Sequence, residues 1–139
     1  MKTILFACVH NAGRSQMAAA FFNALADPTK ARATSAGTQP GDRVHAEVTQ
    51  VMREVGIELA DAKPQLLTDE MANEADVLVT MGCRERCPMV PGARREDWEL
   101  RDPKGLPLDQ VRKVRDEIRE RVERLALQLA VGRVAAGRN

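Results

Sequence analysis

The chain has 139 residues, 44% of them apolar and 29% charged, which fits one domain built on a single core. Its 21 basic and 20 acidic residues leave a formal net charge of +1. That near-cancellation argues against a protein dedicated to nucleic acid or to a membrane surface. No run approaches the ~18 apolar residues of a membrane span, and the apolar opening is broken at His10 and Asn11 with no cleavage-like site. A cytoplasmic location is therefore expected.

Residues 2–8 are predicted as the first strand, with the apolar run Ile4-Leu5-Phe6-Ala7 leading into Cys8. A helix is predicted over 14–26, because Met17, Ala20, Phe21, Ala24 and Leu25 fall on one face and Asp27-Pro28 ends it. Residues 31–36 form a short second strand closed by Gly37. Residues 46–55 form a helix with Val48, Val51, Met52 and Val55 on one face and Gly56 as its C-cap. A helix over 66–75 opens at Thr68 or near Pro64. Asp76-Val-Leu-Val-Thr-Met81 reads as a buried, β-branched strand. Residues 82–92, rich in Gly and Pro, read as loop or helical turn, and Asp97-Trp98-Glu99-Leu100 as a fourth strand. A long helix over 106–131 buries Val111, Val114, Ile118, Val122, Leu125 and Leu129, with Arg and Glu making a solvated face. Residues 1–131 are thus one domain, and 132–139 a frayed tail.

Strands alternating with helices predict an α/β fold: a four-stranded parallel sheet with helices on both faces, a Rossmann-like three-layer sandwich. Ligands of such sheets sit beyond the carboxyl ends of the strands, where the strand order reverses. Cys8, the Cys83 region and Asp102 each follow a predicted strand, so all three should gather at one rim.

The segment Cys8-Val9-His10-Asn11-Ala12-Gly13-Arg14-Ser15 lies between the first strand and the first helix. A loop there can turn successive backbone N–H groups inward as an anion nest, and the helix adds its positive end. Arg14 supplies a planar fork matched to two oxygens of a tetrahedral oxyanion. These features favour a Cys8 thiolate, to which Ser15 can donate a hydrogen bond. Asn11 and Gly13 suit the backbone angles of a tight cradle. The candidate substrate-binding set is Val9, His10, Asn11, Ala12, Gly13, Arg14 and Ser15, mostly through the backbone.

Cys83 and Cys87 stand in Met81-Gly-Cys-Arg-Glu-Arg-Cys-Pro88. Incidental loop cysteines, a soft-metal site and a redox pair are the readings open to them. A metal site needs about four ligands, and no other Cys or His lies near in sequence, so the redox reading is favoured and no metal is expected. A helical i,i+4 pair has Cβ atoms ~5–6 Å apart, whereas a disulfide wants ~3.8 Å, so oxidation would deform the turn. Asp102-Pro103 could simply start a turn before the last helix. Beside an oxyanion cradle, Asp102 becomes a candidate general acid for a departing oxygen.

Cys8-x5-Arg14-Ser15, the late Asp102-Pro103 and the cysteine pair between them resemble the three-cysteine arsenate reductases of the low-molecular-weight protein tyrosine phosphatase superfamily. The resemblance covers nearly the whole chain. It includes Arg14-Ser15-Gln16-Met17-Ala18, Ser35-Ala36-Gly37, Glu96-Asp97-Trp98 and Val114-Arg115-Asp116-Glu117-Ile118. It implies that Cys8 attacks arsenate held by Arg14, that Asp102 protonates the departing oxygen, and that Cys83 and then Cys87 relay the oxidation outward. The final Cys83–Cys87 disulfide would go to thioredoxin or another dithiol reductant. The implied protein is a cytoplasmic monomer of arsenical resistance, with no cofactor. Three residues separate Cys83 from Cys87, where the best-known thioredoxin-coupled members have six, and this leaves the reductant open. Ala19 stands where some members carry an acidic potassium ligand, so no potassium site is expected. The alternative is a low-molecular-weight phosphatase using Cys8, Arg14 and Asp102; a capture protein for arsenic(III) would have no use for Asp102. With no tyrosine and four aromatic residues in all, the chain is poorly equipped to stack on a phosphotyrosine ring.

Overall fold

The computed structural model describes residues 1–82 and 94–132. The elements run β1 (Lys2–Cys8), α1 (Arg14–Leu25), β2 (Ala31–Gly37), α2 (Ala46–Arg53), α3 (Asp69–Glu74), β3 (Val77–Thr80), β4 (Arg94–Asp97) and α4 (Leu108–Leu129). The sheet has the order β2-β1-β3-β4, and every pairing is parallel. The predicted α/β architecture is the one observed. The order of connection reverses between β1 and β3, so the ligand-binding crevice of an open parallel sheet falls beyond Cys8 and Thr80.

Alternation along β1 divides the core. Ile4, Phe6 and Cys8 face the larger layer, with Met17 and Phe22 of α1, Val48 and Met52 of α2, and Ile118 and Val122 of α4. Leu5 and Ala7 face the smaller layer, with Leu78, Ala72 and Ala75. Short side chains at Ala18, Ala33 and Ala36 allow the helices and strands to approach closely. At the β2 edge, Asn23 of α1 donates to the Ala33 carbonyl at 3.0 Å and accepts from its N–H at 2.8 Å. No helix of the described residues is long and apolar enough to cross a membrane.

Several boundaries differ from the sequence pattern. The fourth strand is not residues 97–100 but Arg94–Asp97, all four of them charged. It pairs with Val77–Thr80, and the ladder ends when Met81 and Gly82 turn away, so Trp98-Glu99-Leu100 lies past the strand. An edge strand tolerates charge, and charge protects it from pairing with other chains. The third helix is shorter than 66–75 and is capped by the Thr68 hydroxyl, which accepts from the Met71 N–H at 3.2 Å. Gly132, placed in the tail by its sequence, makes a bridge with Ala26. The expectations for residues 83–92 and for 133–139 lie outside the described residues. Arg115, counted with the solvated face of α4, is buried. Its guanidinium donates to the Val51 carbonyl and to Glu54, both at 2.9 Å, satisfying an acceptor in the last turn of α2.

Gly37 ends β2 where the chain passes close behind the loop after β1. A Cβ on residue 37 would stand 2.5 Å from the Val9 carbonyl oxygen and 3.0 Å from the Asn11 N and Cβ. Gly37→Ala should therefore destabilise the fold by roughly 1–3 kcal/mol while also displacing the Val9–Asn11 backbone. Urea unfolding and phosphate binding, measured on the same variant, check both effects.

Candidate active site

Cys8 closes β1, is 3% exposed and has a free thiol. The loop after it turns back on the sulfur: the Asn11 N–H reaches Sγ at 3.1 Å, and the Ser15 hydroxyl lies 2.8 Å from it. Asn11 adopts φ 51°, the left-handed region that asparagine tolerates and that this reversal needs. Its Nδ2 donates to the Ser15 Oγ at 2.7 Å.

The outward side of the loop is held mostly by the segment that follows β2. Thr38 N–H donates to the Cys8 carbonyl (3.1 Å), Gln39 N–H to Val9 (2.8 Å), Gly41 N–H to His10 (2.9 Å) and His45 N–H to Ala12 (3.0 Å). The Asn11 carbonyl accepts from the Gln16 side chain at 3.0 Å, and the Gly13 carbonyl from the Met17 N–H at 3.0 Å. A loop whose carbonyls are all engaged outward presents its N–H groups inward, which is the arrangement of an anion nest. No side chain caps α1, and its first turn carries no acidic residue. Its leading N–H groups and positive end are thus left to an oxyanion.

Arg14 begins α1 with a side chain 12% exposed. Three neighbours from distant parts of the chain meet its guanidinium. Nη1 donates to the Leu100 carbonyl at 3.1 Å, and Nη2 lies 3.8 Å from Asp102 Oδ2. Gly82, at φ +93°, lies so close that a Cβ there would be 2.9 Å from Nη1. The ends of β1, β3 and β4 therefore converge on one fork. Asp102 is half-exposed and turns its other oxygen to the Lys104 N–H at 3.0 Å. Pro103 stands over Gly13, its Cγ 3.1 Å from where a Cβ of residue 13 would be.

A cavity of about 700 Å³ opens beside this fork, lined in part by Arg14, Gly82, Asp97 and Leu100. Two carboxylates line that wall, Glu99 and, beside Thr80, Asp97. The Thr80 hydroxyl, donating to its Oδ1, holds it below the usual carboxylate range; burial opposes this and Arg95 assists. Asp102 differs from both in lying beside the Arg14 guanidinium, which is the ground for taking it as the candidate acid.

Cys8, Asn11, Arg14, Ser15 and Asp102 thus come together, whereas the His10 ring is exposed and lies 3.1 Å from the Gln39 carbonyl, outside the cradle. Val9, His10 and Ala12 belong to the loop through their backbones. Cys83 and Cys87 lie outside the described residues, and Cys83 is the residue after Gly82. Sequence reasoning missed Gly82, Gln16 and Gln65. The first is visible only as a Gly preceding a cysteine, and the others look like ordinary polar surface residues. Gly82→Ala should weaken binding of inorganic phosphate about tenfold, because a Cβ there forces the guanidinium out of the place in which it lies against Gly82 and Leu100; calorimetry on folded protein measures it.

The sequence profile of the low molecular weight phosphotyrosine protein phosphatase family matches residues 3–134. The chain is 35% identical over 133 residues to the glutaredoxin arsenate reductase of Synechocystis sp., with 94% of this chain and 100% of that protein covered. In structure it is similar to the thioredoxin-dependent arsenate reductase of Corynebacterium glutamicum, with a TM-score of 0.83 at 36% identity over 94% of this chain; it spans 62% of that longer protein. It is also similar to the YwlE arginine phosphatase from Geobacillus stearothermophilus, with a TM-score of 0.79 at 29% identity and 94% of each chain covered. Taken with the cradle around Cys8, these likenesses show that the chain belongs to the low molecular weight phosphotyrosine protein phosphatase family, among the arsenate reductases of that superfamily.

Proposed function

We propose that this protein reduces arsenate to arsenite, with Cys8 as nucleophile, Asp102 as general acid and Cys83 and Cys87 as a disulfide relay. The observation that carries the reading is the placement of Gly82. It rests against the Arg14 guanidinium, so the first residue of the cysteine pair follows directly from the rim of an oxyanion cradle.

Arsenate enters with its oxygens on the loop N–H groups and the Arg14 fork. The Cys8 thiolate bonds to arsenic(V), and the departing oxygen leaves as water on accepting a proton from Asp102. The Cys83 thiolate then attacks the Cys8 sulfur. The S–As bond breaks, its electron pair stays on arsenic, and arsenite departs as arsenic(III) while a Cys8–Cys83 disulfide forms. Cys87 attacks Cys83 as a thiolate and frees Cys8. The Cys83–Cys87 disulfide takes two electrons from an external dithiol. Relatives of nearly equal similarity carry names pointing to different dithiol proteins, glutaredoxin for one and thioredoxin for the other. The reading adopted for this chain is thioredoxin. NADPH oxidation dependent on arsenate, followed with thioredoxin and its reductase and separately with a glutaredoxin chain, decides between them.

A phosphatase acting on phosphotyrosine is the weaker reading. All four aromatic side chains, Phe6, Phe21, Phe22 and Trp98, are buried, and Trp98 is the single aromatic residue lining the cavity beside Arg14, too little to make aromatic walls for a substrate ring. Hydrolysis of a small phosphoester remains compatible with the same cradle, because phosphate and arsenate share shape and charge.

Cys8→Ser should abolish arsenate reduction and any phosphoester hydrolysis, since a serine hydroxyl stays protonated where a thiol ionises. Substantial arsenate turnover by that variant would remove Cys8 from its role. Cys83→Ser and Cys87→Ser should each stop multiple-turnover arsenate reduction yet keep hydrolysis of a generic aryl phosphate. Loss of both activities from either variant while folded would assign that cysteine to the structure.

A further inference from the structure

We propose that Gln16 is a positioning residue for Cys8: its amide fixes which way Asn11 points, and Asn11 in turn directs the Ser15 proton onto sulfur. The proposal rests on Cys8 being the reactive thiol but on no step of arsenate chemistry.

Gln16 lies in the first turn of α1 and is 6% exposed. Of the six carbonyls from Cys8 to Gly13, five accept from backbone N–H groups. The Asn11 carbonyl alone accepts from a side chain, Gln16 Nε2 at 3.0 Å. The same nitrogen lies 3.2 Å from Asn11 Oδ1 and 3.2 Å from the Lys63 carbonyl. A helix so close to an anion site would be expected to spend a polar side chain on the anion; this one is turned back into the loop.

Donor and acceptor counting gives the consequence. Asn11 Oδ1 faces two N–H donors, Gln16 Nε2 and the backbone of Gln65 at 2.9 Å. The atom there must be oxygen, so Nδ2 is the atom facing Ser15 Oγ at 2.7 Å. Ser15 accepts that hydrogen, and its single hydroxyl hydrogen is left for Cys8 Sγ at 2.8 Å. An Asn11 amide turned the other way would take the Ser15 proton for itself, and the thiolate would lose a hydrogen bond that favours its charged form. Gln65 holds the amide by one N–H, while Gln16 shares its two Nε2 hydrogens among the Asn11 carbonyl, the Asn11 amide oxygen and the Lys63 carbonyl, tying the side chain and the backbone of the same left-handed residue together.

The test is alkylation of Cys8 by iodoacetamide in a Cys83→Ser/Cys87→Ser protein, measured from pH 5 to 9, with and without Ser15→Ala. Gln16→Met should slow alkylation at pH 6 about threefold and Gln16→Glu about tenfold, with rates at pH 9 close to those of the parent, because the loss of a hydrogen bond to the thiolate lowers its population only where protons compete. In the Ser15→Ala background, Gln16→Met should change nothing further. Equal slowing at pH 6 and pH 9 would make Gln16 a structural residue only. Undiminished slowing after Ser15→Ala, or no slowing at all, would equally overturn the proposal. Should Gln16→Met fail to fold, Gln16→Glu is read against Ser15→Ala: its carboxylate slows alkylation by charge alone, and slowing that is undiminished after Ser15→Ala overturns the proposal while slowing that is reduced supports it. Since arsenate is absent throughout, failure here and failure of the proposed reduction are separate results.

Discussion

An anion cradle made of backbone has to dispose of its carbonyls. Six consecutive carbonyls, from Cys8 to Gly13, would repel an oxyanion if they faced it, and would cost stability if buried without donors. In this fold each has a donor on the outer side: the segment after β2 supplies four N–H groups, α1 a backbone N–H and a glutamine amide. The close pass of residues 37–45 behind the loop is therefore the constraint on which the site depends. Gly37 at the end of β2 is what permits it, since the Val9 carbonyl occupies the space a side chain would need. Strand β2 does more than cover a sheet edge; its exit path forms the outer wall of the cradle.

The second half of the site comes from the other side of the topological reversal. Cys8 ends β1, Gly82 follows β3, and Leu100 and Asp102 follow β4. Gly82, Leu100 and Asp102 surround a single guanidinium, that of Arg14. Arginine suits that position because its planar fork can be held from behind by a carbonyl and a glycine and still present donors forward. A lysine would keep the charge and lose the orientation.

The legible parts of the sequence were those whose meaning is local. Strand β1, the loop after Cys8 and α1 are contiguous, and the apolar stripe of α4 repeats over 22 residues. Strand β4 was displaced because its four residues are all charged and carry no apolar alternation; only pairing with β3 defines it. Arg115 was hidden for a related reason, as one arginine among many on a charged helix, singled out only by the α2 carbonyl it reaches. Gln16 and Gln65 are read as surface residues until the loop they brace is folded around them. Gly82 gains its meaning from Arg14, 68 positions earlier in the sequence. The residues proposed to carry the chemistry are visible from their types, and the residues that hold them in place are visible only from contacts across the sheet.

For the proposed reduction, this arrangement divides the labour between two kinds of structure. A sulfur that is 3% exposed and braced by an N–H and a hydroxyl is well placed to hold a negative charge and poorly placed to exchange electrons with another protein. The oxidising equivalent must therefore leave Cys8 on a different sulfur, and the open side of the fork is the cavity lined by Arg14, Gly82, Asp97 and Leu100. In the proposed mechanism, burial of the nucleophile and a relay of further cysteines are therefore one requirement: a sulfur enclosed by its own loop needs another thiol to carry the oxidation outward.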